Sequence, residues 1–81
     1  MEEKEIVVDE TKRRYKIKIY KMFNPIPATL YVQMYGVDIN KMADIVSEGL
    51  DGNALVFITE KGKIKSYDRT TITKVMVEEV E

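Results

Sequence analysis

"KRRYKIKIYKMF", residues 12–23, decides how this 81-residue chain folds. Read with a period of two, Tyr15, Ile17, Ile19 and Phe23 fall on one side and Arg14, Lys16, Lys18 and Tyr20 on the other, because successive strand side chains point to opposite faces. A helix would scatter the same charges around its axis, and the isoleucines and tyrosines favour extended backbone. The stretch is predicted to be a strand with one apolar face and one basic, aromatic face. It holds six of the chain's thirteen basic residues, so the structural question carries a functional one. The basic face is either a surface for a polyanion or the solvated side of a sheet.

Towards the N-terminus, Ile6 to Val8 is a β-branched run among acids, and "DETKR" at 9–13 supplies turn material. A first strand and a hairpin into residues 12–23 are expected there. Towards the C-terminus, "NPIPA" at 24–28 interrupts the ladder, since proline lacks the amide donor. Leu30, Val32 and Met34 then alternate with Tyr31, Gln33 and Tyr35 in a further strand that ends at Gly36. Asp38 is suited to cap a helix whose apolar stripe is Ile39, Met42, Ala43, Val46 and Leu50, with Gly49 expected as a left-handed C-cap. "ALVFIT" at 54–59 is a continuous apolar run, predicted as a central strand buried on both faces. "EKGK" at 60–63 reads as a hairpin turn with Gly62 at positive φ. Lys63, Lys65, Tyr67 and Arg69 repeat the basic-aromatic alternation, and "TITKVMVEEV" at 71–80 supplies the last strand.

The predicted fold is a single α+β domain over residues 1–81. It has about six short, mostly antiparallel strands and one helix in the order βββ-α-βββ, as an open sheet or a small barrel, with residues 1–4 and 79–81 frayed. No fixed-period repeat or linker divides it. A chain this short buries only about 60% of its unfolded surface, so partners are expected to help complete its core.

Composition excludes most enzyme chemistry. There is no histidine and no cysteine, hence no imidazole for proton transfer, no Ser-His or Cys-His nucleophile, no disulfide and no thiolate metal site. Ser47 and Ser66 stand in no nucleophile motif. Asp44 and Glu48 lie one helical turn apart, with Asp51 nearby, but lack calcium-loop spacing. "GLDG" at 49–52 sits between a helix and a strand, where a cap and a turn explain both glycines. Met22, Met34, Met42 and Met76 read as packing residues. No cofactor and no metal are expected. Cysteine-free composition suits a reducing compartment, so the expected location is cytoplasmic. The longest apolar run, Ala54 to Ile58, is far below the roughly 20 residues of a membrane helix.

The net charge is −1, and its distribution is uneven. Glu2, Glu3, Glu5, Asp9 and Glu10 at one end and Glu78, Glu79 and Glu81 at the other flank the two basic segments. The first reading is a small non-enzymatic binding or regulatory module that works through protein contacts, including self-association as a dimer through Ile72, Val75 and Val77. The alternative is a nucleic-acid or other polyanion-binding domain using Arg14, Lys16, Lys18, Tyr20, Lys63, Lys65, Tyr67 and Arg69, with Tyr31 and Tyr35 adding to it if they share a face. The discriminating feature is spatial: the two basic segments either share an open face or are covered by the acidic ends, with Glu3, Glu5 or Asp9 set against Arg14, Lys16 or Lys18.

Overall fold

The structure, a computed structural model, describes residues 11–80. The expected strand at Ile6 to Val8 and the acids of that segment lie outside the described residues, while Lys12 and Arg13 of the expected turn are already strand. The elements run β1 (Lys12–Lys21), β2 (Ala28–Tyr35), α1 (Ile39–Leu50), β3 (Ala54–Ile58), β4 (Ile64–Asp68), one turn of 3-10 helix (Arg69–Thr71) and β5 (Ile72–Val80). The class is α+β as expected, with five described strands in two antiparallel sheets. One sheet has the order β2-β1-β5 and the other is the β3-β4 hairpin. Among the described residues both are open and no barrel closes.

The quoted stretch forms the central strand of the larger sheet, and its alternation is realised. Tyr15, Ile17 and Ile19 are fully buried and meet Leu30 and Val32 of β2, Met42 and Val46 of α1, Leu55 and Phe57 of β3, and Ile72. Burying an isoleucine contributes roughly 1.5–3 kcal/mol, so Ile17 and Ile19 fix which side of β1 the helix covers. The Tyr15 hydroxyl donates to the Val37 carbonyl at 2.5 Å. That bond satisfies a buried polar tip, and burial raises the phenol's pKa.

Asp38 caps α1, its Oδ1 accepting from the Lys41 N–H at 2.8 Å. Met42 and Val46 are buried beneath the helix, whereas Ile39 and Ala43 of the expected stripe are exposed. Gly49 is not a left-handed cap. The helix ends through Asp51 in right-handed backbone, and a Cβ on Gly49 would lie 2.4 Å from Leu55 Cδ1, so this position answers to helix-strand approach. Gly62 does take positive φ, at 79°. It closes the β3-β4 turn with its N–H on the Thr59 carbonyl.

Three further expectations are corrected. Phe23 does not continue the core face of β1: the strand stops at Lys21, and a turn closed by the Asn24 N–H on the Lys21 carbonyl carries Phe23 into solvent. The apolar run at 54–58 is not buried on both faces. Leu55 and Phe57 point inward, but Val56 and Ile58 project to the other side of the hairpin and are exposed, because no described element packs over that side. Met22 and Met76 are likewise surface residues, while Met42 packs in the core. At the C-terminal end β5 continues to Val80, which pairs with Arg14.

Candidate functional site: a basic sheet face

Directly opposed residues of an antiparallel pair project to the same side, so the register of the larger sheet defines its second face. Arg14, Lys16 and Lys18 lie opposite Gln33, Tyr31 and Thr29 of β2, and Lys12 lies opposite Tyr35. Across the other edge of β1, Lys16, Lys18 and Tyr20 lie opposite Glu78, Met76 and Lys74 of β5. A bulge at Tyr20/Lys21 ends this regular register, and the Thr73 hydroxyl donates to the Tyr20 carbonyl there. The helix and the inward residues of β3 pack on the opposite side, against Tyr15, Ile17 and Ile19. Among the described residues no helix or strand lies over the basic side.

Two acids temper its charge. Arg14 clasps Glu60 of the β3-β4 turn with two parallel bonds of 2.8 Å each, from Nε to Oε2 and from Nη2 to Oε1. This pairing lowers the carboxyl's pKa and raises that of the guanidinium. The same guanidinium stands 4.4 Å from the centre of the Tyr31 ring. Lys16 approaches Glu78 at 3.8 Å. Arg13 meets Glu79 at 3.5 Å, and that pair belongs to the other side of the sheet. The acidic C-terminal end therefore neutralises part of the basic strand. Lys12 and Lys18 form no ion pair among the described residues, and Lys74 lies over the Tyr20 ring at 5.5 Å. Tyr35 is 62% exposed. Lys16 and Lys18, with Met76, Val77 and Glu78, enclose a small hollow of about 40 Å³, their stems lying along the sheet as long cationic side chains do.

The second basic segment does not extend this face as one stripe. Its strand β4 belongs to the hairpin, whose tip is fastened to the edge of β2 by the Glu60 N–H on the Tyr31 carbonyl at 2.9 Å. This brings Lys63 and Lys65 beside Tyr31, where they line a groove of about 220 Å³ with Thr29, Thr59, Glu60 and Lys61. Tyr67 turns inward opposite Leu55, its pKa raised by burial, and Lys21 covers its ring at 5.0 Å. Arg69 lies in the 3-10 turn, where its Nε donates to the Leu50 carbonyl at the end of α1. Asp68 accepts from the Thr70 N–H and hydroxyl, which hold its pKa below the usual carboxylate value.

Ile72 is buried, and Val75 and Val77 are half-buried against the chain's own core. Ser47, Ser66, Asp44 and Glu48 are all exposed. Among the described residues no three His, Cys, Asp or Glu side chains gather as a metal site, and no helix is long and apolar enough to cross a membrane. Sequence reading missed Lys74, Lys12 and the groove. Only the strand register sets Lys74 opposite Tyr20 and Lys12 opposite Tyr35, and no local pattern encodes that. The fold and site together define a small α+β domain with a basic, tyrosine-bearing sheet face. Compared with protein families, curated proteins and solved structures, the chain finds no match.

Proposed function

We propose that the chain is a non-enzymatic, cytoplasmic binding module whose basic sheet face takes the backbone of a single-stranded nucleic acid. One observation carries this reading. Lys12, Arg14, Lys16, Lys18 and Lys74 share a side of the sheet with Tyr20, Tyr31 and Tyr35, while the helix occupies the other side. A hydrogen-bonded sheet holds these groups in fixed register, the arrangement that lets cations track phosphates while rings meet bases. Binding releases counterions from the strand, so affinity falls as salt rises.

Fluorescence anisotropy with a labelled oligonucleotide is the test. The expected result is saturable binding at low salt that weakens steeply with added salt. Charge reversal at Lys16 and Lys18 abolishes it while circular dichroism stays native. Absence of binding by the wild-type chain at low salt overturns the reading.

A second reading, protein contact including self-association, is favoured by a different observation. The outer face of the β3-β4 hairpin exposes Val56, Ile58 and Ile64 at 55%, 66% and 70%, a grouping that exceeds the single exposed apolar residues normal on a surface. Light scattering on a sizing column tests it. An oligomer that Val56→Lys dissociates supports it, and a monomeric mass at high concentration removes self-association.

A further inference from the structure

The turn between β1 and β2 holds a residue whose placement folding does not account for. Phe23 is 99% exposed, and its φ is 62°, in the left-handed region that disfavours any residue with a Cβ. Its side chain gains nothing from the core while its backbone sits against its preference. The turn is nonetheless well held. The Met22 N–H donates to the Thr71 carbonyl at 2.8 Å, the Asn24 N–H to the Lys21 carbonyl at 3.3 Å, and the Ile26 N–H to Asn24 Oδ1 at 3.1 Å. Pro25 and Pro27 restrict the rest. A constrained turn that keeps an aromatic ring in water points to a partner outside the chain.

We propose that Phe23 is a base-stacking residue for a single strand bound along the basic face, an inference that rests on the function proposed above. Lys16, Lys18 and Tyr20 lead along β1 to this turn. The Tyr20 and Tyr31 rings each already carry a cation of their own chain, Lys74 and Arg14. Phe23, almost wholly in solvent, is an uncovered ring. A base leaving the end of the cationic strand meets there a flat apolar surface that needs no particular hydrogen-bonding edge, so stacking is sequence-tolerant. Met22 and Ile26, exposed at 50% and 75%, add an apolar surround for the sugar and the ring edge.

The chain contains no tryptophan, so Phe23→Trp places a single tryptophan at the site, excited selectively over the tyrosines. On titration with oligothymidylate its emission is expected to be quenched saturably, with the midpoint seen by anisotropy. Phe23→Ala is expected to bind roughly 5- to 150-fold more weakly, the equivalent of 1–3 kcal/mol, whereas Phe23→Trp binds as well as wild type. If Phe23→Ala binds as tightly as wild type and the tryptophan emission does not change, stacking is refuted and the basic face stands. If wild type does not bind, both fall. A blue shift with anionic phospholipid vesicles, without quenching by the oligonucleotide, assigns the turn to a lipid surface and also overturns the proposal.

Discussion

At Phe23 a strained backbone and a solvent-exposed ring coincide, which makes the residue's effect on stability predictable in sign. Left-handed backbone costs a residue with a Cβ about 1–2 kcal/mol, and glycine avoids this while returning about 0.5–1 kcal/mol to the unfolded chain as entropy. Phe23→Gly is therefore expected to raise stability by up to about 1 kcal/mol, read from a denaturant midpoint at unchanged slope. A lower midpoint would show that the ring has packing value within the fold. Tyr15 is the opposite case, with 0% exposure and its hydroxyl on the Val37 carbonyl. Tyr15→Phe leaves that carbonyl without its donor and is expected to cost about 1–3 kcal/mol, measured the same way. An unchanged midpoint would mean that water replaces the phenol.

At the scale of elements, the β3-β4 hairpin is joined to the larger sheet through its tip, where Arg14 and Glu60 form a bidentate pair. Because the pair lowers the Glu60 pKa, its contribution is complete above the ordinary carboxylate pKa and is lost as pH falls through the lower, folded value. Melting temperatures of wild type and Glu60→Gln are expected to differ at neutral pH, with the gap closing on acidification below about pH 4. The difference is small for a pair reached by solvent. A gap that persists in acid would assign the effect to something other than the ion pair. The same substitution frees Arg14 from its counter-charge, and is expected to tighten oligonucleotide binding.

At the scale of the molecule, the described residues leave two kinds of sheet surface uncovered: the basic side of β2-β1-β5 and the apolar outer side of β3-β4. The two proposed readings use one each, and the valines of β5 distinguish loss of an interface from loss of the core. Val75 and Val77 already pack against the chain's own core. Val75→Lys is expected to destabilise the fold itself, whereas Val56→Lys on the outer hairpin face leaves the unfolding free energy within about 0.5 kcal/mol of wild type. Thermal melts of both variants decide this. If Val75→Lys gives a folded monomer from an oligomer with no loss of stability, an interface through β5 replaces the one expected on the hairpin.

The local periods of the sequence were enough to determine the strand at residues 12–21, the helix after Asp38, the Gly62 turn and the split of β1 into buried and basic sides. Each depends on neighbours within a few residues, where side-chain alternation, capping and the conformational freedom of glycine act. Two local inferences failed for different reasons. "ALVFIT" looks doubly buried, yet burial depends on what other elements lie above, and among the described residues none covers the outer side of β3; Phe23 looks like the next core residue, yet β1 ends at Lys21 and the turn carries the ring into solvent. Tertiary structure alone decided that Lys74 faces Tyr20, that Glu60 reaches Arg14 across 46 positions, and that Lys63 and Lys65 approach the tyrosine face while Tyr67 and Arg69 turn away. Those placements follow from strand register and from the docking of one sheet on another, long-range pairings that a one-dimensional pattern does not specify.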